Sequence, residues 1–144
     1  MASHGLKDER SGAEVYYGAE MCYKKSLELL EAMDLPKGLL PLKDLEETGY
    51  VKETGFVWLK QKKPFEHYNK KTGKTVFYGT ELTSYVGKRS MKKMTGVKSK
   101  ELLFWIHITE MAINDPSSKK IYFKSNLGIG KSFPIDAFQL EDEE

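Results

Sequence analysis

The sequence predicts a mainly β, α+β fold: one N-terminal amphipathic helix packed on a curled antiparallel sheet, a β roll or half-barrel. Three observations predict it. Apolar residues recur at helical spacing in one segment, ahead of two prolines. Beyond the prolines, short runs rich in aromatic and branched residues are separated by turn signals. The longest of those alternating runs has Gly79 in its middle, and a strand glycine marks a bulge or bend that curls a sheet. At 144 residues the chain has the size of one domain, large enough for a core without disulfides or metal.

Each element has its own signal. Residues 1–12 are polar and expected as a disordered tail. A single domain is expected over 13–140, with an acidic tail at 141–144. Ser11-Gly12-Ala13-Glu14 fits a capping box, in which the Ser hydroxyl accepts from the amide three residues on and the Glu reaches back. The helix is therefore placed at 13–34, with an apolar stripe of Tyr16, Ala19, Tyr23, Leu27, Leu30 and Met33. It stops near Asp34, because Leu35 precedes Pro36 and is pushed out of helical geometry. Gly38-Leu39-Leu40-Pro41 then forms a rigid elbow carrying two leucines into the core.

The β body is placed at 50–138. Residues 55–59 and 65–68 read as strands, 69–74 as a turn with Gly73 at its tip, and 75–86 as a second hairpin arm. On that arm Val76, Tyr78, Leu82 and Val86 share one face. Residues 88–98 read as a strand followed by a turn at Gly96. The most apolar run, 102–111, reads as a central strand. A turn at 114–118, a strand at 121–123, a loop at 125–132 and a closing segment from Phe133 to Phe138 complete the chain.

Composition narrows the function classes. Cys22 is the only cysteine, so an intramolecular disulfide is excluded and a reducing compartment fits. No apolar leader follows Met1, position 2 is Ala2 where N-myristoylation requires glycine, and no apolar stretch approaches a bilayer span. The expected location is cytoplasmic. Net charge is only +2, but it is unevenly placed. Residues 1–51 carry 6 Lys and Arg against 10 Asp and Glu, residues 52–100 carry 13 against 3, and residues 101–144 carry 4 against 8. A basic middle between acidic ends suits an anionic partner; equally, lysines solvate outer strand faces and guard sheet edges.

Candidate chemistry is sparse. Ser125 to Ser132 ends in Gly130-Lys131-Ser132, which imitates a phosphate-binding loop, but Ser125 stands where the first glycine is needed and Pro134 follows too closely for a helix. No Gly-x-Ser-x-Gly elbow occurs. His67 is a weak candidate base, or else a solvated strand residue, while His107 reads as a core residue. Cys22 reads as a small buried hydrophobe. Cysteine pairs and His-x-x-x-His spacing are missing, so neither metal nor cofactor is expected. Lys60, Lys62, Lys63, Lys70, Lys71 and Lys74, with Phe65, Tyr68 and Phe77 between them, would suit phosphates and bases, yet no specific nucleic-acid signature is present. The same residues would also suit an anionic membrane.

A cavity reading rests on the rings. Trp58, Tyr78, Tyr85, Phe104 and Trp105 are spread over several strands, and a curled sheet can enclose a lipophilic ligand between its concave face and the leading helix. The candidate lining is Trp58, Tyr78, Phe104 and Trp105, with Lys92 and Lys93 at a rim. The alternative is that these rings simply fill the core.

Recognisable at the elbow and covering the chain from about Glu14 to Phe138, the sequence resembles a plant family, domain of unknown function 538. The residues that carry the resemblance are Leu35-Pro36-Lys37-Gly38-Leu39-Leu40-Pro41, Glu53-Thr54-Gly55-Phe56-Val57-Trp58, Lys60-Gln61-Lys62-Lys63, Glu66-His67, Thr95-Gly96-Val97-Lys98 and Lys131-Ser132-Phe133-Pro134. The resemblance implies a helix on a curled antiparallel β roll, a likeness to lipid-binding bactericidal/permeability-increasing proteins, a link to plant stress, and a suggested hydrolysis of esters such as chlorophyll. It brings no established active-site residue. Many members carry a secretory signal and an early-strand cysteine; this chain shows neither and resembles the signal-less branch. The expectation is a non-enzymatic, stress-associated binder of a lipophilic or anionic small ligand. The alternatives are an esterase with His67 as base, or a surface module for anionic membrane or nucleic acid. Oligomeric state is not legible.

Overall fold

The structure is a computed structural model that describes residues 8–140. The expected acidic tail, 141–144, and the first seven residues of the expected N-terminal tail lie outside the described residues. Half the chain is strand, in a nine-stranded antiparallel sheet that is curled but not closed, with one α-helix among the described residues.

The helix begins later than the capping box suggests. Glu14–Tyr17 is a strand, β1, paired with β2 (Leu45–Val51) in the register Glu14↔Tyr50 to Tyr17↔Glu47. Val15-Tyr16-Tyr17 is branched and aromatic, and a ladder partner outweighs a local cap. Gly18, at φ 92°, turns the chain into α1 (Ala19–Ala32) without a side-chain cap. The buried helix face is Cys22 and Leu30, flanked by Leu29 and Met33, rather than the stripe through Tyr23 and Leu27. The helix closes on Asp34 at φ 57°, with the Leu35 amide donating back to the Leu30 carbonyl.

The elbow behaves as its sequence implies. Leu35, Leu39, Leu40 and Leu42 are all buried. Gly38 is required there, since a Cβ would run into the backbone of Phe138.

The remaining strands are β3 (Phe56–Gln61), β4 (Phe65–Asn69), β5 (Lys74–Gly87), β6 (Ser90–Lys100), β7 (Trp105–Ala112), β8 (Lys120–Ser125) and β9 (Gly130–Pro134). Their order is β1-β2-β3-β5-β6-β7-β8-β9. Strand β5 is long enough to hold two partners side by side: its first half pairs with β4 and its second with β3. The break between them is where the sheet bends. The β5–β6 register shifts between Tyr78 and Thr83, opposite Gly96 at φ 86°. A Cβ on Gly96 would strike the Glu81 carbonyl, so this glycine lies inside a strand and not in the turn expected there. Carbonyls freed at the break are taken by Gln61, whose buried Nε2 donates to the oxygens of Tyr78 (3.2 Å) and Gly79 (2.8 Å).

Two further expectations are corrected. The central strand starts at Trp105, not Leu102; residues 102–104 form the β6–β7 turn, closed by the Glu101 amide on the Phe104 carbonyl at 2.7 Å. Lys131 and Ser132 lie in β9, an extended strand, which disposes of the phosphate-loop resemblance.

The concave face carries the main core, in which Leu39, Leu42, Ile121, Val97 and Cys22 are almost wholly buried. The Cys22 thiol donates to the Tyr16 carbonyl at 3.4 Å. Burial, and then the Glu47 carboxylate, push this thiol above its ordinary range. Thiolate being the reactive form, Ellman's reagent should label Cys22 on the order of a hundredfold more slowly in native protein than in denatured protein. Stoichiometric labelling of the native protein within the mixing time would contradict this.

A smaller cluster occupies the convex face. Val51, Phe56 and Trp58 pack with Ala13, Val15 and Tyr85. Residues 8–12 are not a free tail. The Arg10 guanidinium lies 4.5 Å above the Trp58 ring and pairs with Glu81 at 2.7 Å, while Tyr85 donates to Glu9 at 2.6 Å.

Candidate functional site

A 14-residue helix is about 21 Å long and covers only part of a nine-stranded trough. It packs on β1 and β2. Beyond it, the elbow (Gly38, Leu39, Pro41) and Phe138 of the 3-10 turn Ile135–Phe138 face the sheet across a gap. The space left between them is a cavity of about 280 Å³, just under the roughly 300–1,000 Å³ usual for small-molecule sites. A second hollow, about 220 Å³, lies between α1 and strands β2 and β3.

The larger cavity is built in layers. Its inner lining includes Tyr78, Val97, Ile108 and Met111, all buried and drawn from adjacent strands. One wall is aromatic: Phe123 stands 5.8 Å from Phe133 and 5.1 Å from Phe138. Another wall comes from β4 and its turn, with His67 and Asn69. Asn69 is fixed by donating to the Ala137 carbonyl at 2.8 Å, which ties the turn to the closing segment.

The mouth is charged. Lys74 at the start of β5 and Lys131 in β9 both reach Glu101, each ammonium 3.3 Å from the same carboxylate oxygen. Beside them the mouth is rimmed by Leu102, Phe104 and Ile129. Burial pushes the Tyr78 hydroxyl well above the ordinary phenol range, so it remains a neutral O–H donor. Among the described residues no group of three or more His, Cys, Asp or Glu is placed to hold a metal.

The residues expected to line a pocket divide between the two faces. Tyr78 and Phe104 line the cavity, as does His67. Trp58 does not: it is 3% exposed on the opposite face, its Nε1 donating to Glu47 at 2.7 Å. The cause is pleat parity, which puts Val57 and Leu59 inward and Phe56 and Trp58 outward. Trp105 also lies outside the lining, edge-on to Phe77 at 6.1 Å with the Lys100 ammonium 5.8 Å from its ring. Lys92 pairs across from Tyr85, and the Lys93 ammonium sits 5.6 Å above the Tyr85 ring, both away from the mouth. Sequence reasoning missed Lys74, Glu101 and Lys131 as a group, because strand register alone brings them together.

Fold and site define a class: an open, curled antiparallel sheet backed by one helix, with an apolar cavity beneath its uncovered half. A family model described as "Protein of unknown function, DUF538" matches residues 26–139, most of the chain. The protein belongs to that family. No curated protein and no solved structure matches the chain.

Proposed function

We propose that the protein is a non-enzymatic binder of an amphipathic anion, the tail lying in the cavity and the head between Lys74 and Lys131. One observation carries this reading: an apolar cavity whose mouth places two ammonium groups on one carboxylate oxygen. Two cations sharing one anion leave a unit of positive charge for a ligand carboxylate or phosphate. Tyr78, kept neutral by burial, and the buried Ser99 and Ser125 add polar groups to a mainly apolar lining.

The esterase alternative has less support. His67 lines the same cavity, but among the described residues no hydrogen bond joins it to a serine, threonine or carboxylate. Stress association, from the family resemblance, and a cytoplasmic setting, the expectation from the sequence, enter as further parts of this proposal. No helix among the described residues is long and apolar enough to cross a membrane.

The test is titration with a fluorescent long-chain carboxylic acid and with its uncharged alcohol. The acid should bind more tightly. Lys74→Met with Lys131→Met should weaken the acid by about tenfold, the worth of one charge-assisted contact, and leave the alcohol unchanged. Equal binding of acid and alcohol by the native protein would refute the charged-mouth reading. Turnover of a chromogenic ester that disappears in His67→Ala would replace it with the esterase.

A further inference from the structure

Two leucines stand almost fully in solvent at the cavity mouth. Leu102 is 96% exposed and Leu103 is 93% exposed, at the tip of the β6–β7 turn, with Phe104 half-exposed beside them. Across the mouth, Leu127 and Ile129 of the β8–β9 turn are also more than half-exposed. The two turns belong to one end of the sheet, because β7 and β8 are neighbours with Ile108 opposite Ser125. The Asn126 amide donates to the His107 carbonyl at 3.0 Å, and Lys131 reaches back to Glu101. The β4–β5 turn adjoins them through the Lys74–Glu101 pair.

Leu102, Phe104 and Ile129 also border the cavity, but the near-complete exposure of Leu102 and Leu103 leaves packing within the chain no account of these two. Their surroundings identify the surface they suit. Lys70 and Lys71 lie in the β4–β5 turn, Lys74 and Lys131 at the rim, Lys100 at the end of β6 and Lys124 on β8, one pair ahead of Ser125. Against them at this end stand Glu101, already bridged by two lysines, Asp136, and Glu110, the cross-strand neighbour of Lys124, so the lysines remain in excess. Apolar tips ringed by lysines fit an anionic bilayer: the leucines enter the acyl boundary while ammonium groups stay at the headgroups. A partner offering only an apolar groove would use the leucines and not the excess of lysines around them.

We propose that residues 101–104 and 126–129 form a docking edge for anionic membranes, across which the cavity exchanges its amphipathic ligand with the bilayer. The exchange step rests on the ligand reading above; docking does not. With the edge in the headgroup layer the mouth opens toward lipid, so a tail passes from bilayer to cavity without crossing water. Near an anionic surface each lysine strengthens binding by about fivefold, and each inserted leucine by on the order of tenfold.

Sedimentation with phosphatidylcholine vesicles, with and without phosphatidylserine, tests this directly. The native protein should pellet with the serine-containing vesicles. Binding should fall about tenfold or more when phosphatidylserine is omitted, or when salt is raised toward 1 M, where the screening length shrinks to about 3 Å. The double variant Leu102→Asp, Leu103→Asp changes only exposed side chains, so it should fold normally and lose at least about tenfold in binding. Native protein that stays in the supernatant would overturn the proposal, as would a double variant that pellets equally well. Self-association of the free chain that Leu102→Asp, Leu103→Asp abolishes, without vesicle binding, would make a second copy the occupant and overturn it too. Val76→Trp, which fills the cavity, should still pellet while losing the fluorescent acid. A native protein that pellets yet takes up no acid would remove the cavity reading and the exchange step and support the docking edge alone.

Discussion

Gly49→Ala is expected to destabilise the protein by about 3 kcal/mol, although alanine is intrinsically better than glycine in a strand by roughly 0.5–1 kcal/mol. Gly49 sits in β2 with Val15 on one side and Trp58 on the other. A Cβ on Gly49 would penetrate the six-membered ring of the Trp58 indole. That ring has no direction in which to retreat. Its Nε1 donates to Glu47, Arg10 lies over its face, and Phe56 stands 6.1 Å away. Urea unfolding should show a lower midpoint with an unchanged slope. The decisive comparison is the cycle with Trp58→Phe. Phenylalanine lacks the indole atoms that meet the new methyl, so the double variant should be more stable than Gly49→Ala alone, with a coupling of about 2 kcal/mol. Additive effects, or a cost under about 0.5 kcal/mol for Gly49→Ala, would show that the ring is not held as described.

Val76→Trp should abolish uptake of the fluorescent acid, by about a hundredfold or more, with little loss of stability. Val76 is half-buried at the junction of His67 and Ser99, and it lines the cavity. An indole there grows into unfilled space instead of into packed atoms, so the folding cost should stay under about 1.5 kcal/mol. The ligand, by contrast, loses the volume its tail needs, and a hundredfold loss corresponds to about 2.8 kcal/mol. Val97 lines the same cavity but is nearly fully buried, so enlarging it would confound binding with unfolding. Unchanged acid affinity in a well-folded Val76→Trp protein would place the ligand elsewhere.

Much of the fold was legible because local chemistry and long-range packing agree. Leu35 before Pro36 ended the helix where the structure ends it within two residues. The hairpin of β4 and β5 was marked by Gly73, and the inward face of Val76, Tyr78, Leu82 and Val86 by its spacing. Where local signals misled, a distant partner had decided. Ser11-Gly12-Ala13-Glu14 has every feature of a cap, yet Glu14–Tyr17 pairs with β2. In β3 both faces are buried, so Phe56-Val57-Trp58-Leu59 has no polar alternation to show which residues face inward. Trp58 therefore looked like a cavity residue and proved to be the centre of the convex cluster.

By itself the sequence determined the family, the helix-plus-sheet composition, the elbow that drives its leucines inward, and a break in the long strand near Gly79, though not the part Gly96 plays opposite it. These depend on steric limits and periodicities that act over a few residues. Only the tertiary structure decided which rings share a cavity and which charges guard it. Lys74, Glu101 and Lys131 come from three strands and meet through ladder register, and a side chain's face is set by a pleat that counts from its partners. No window along the chain contains that information, because it resides in the pairing of segments remote from one another.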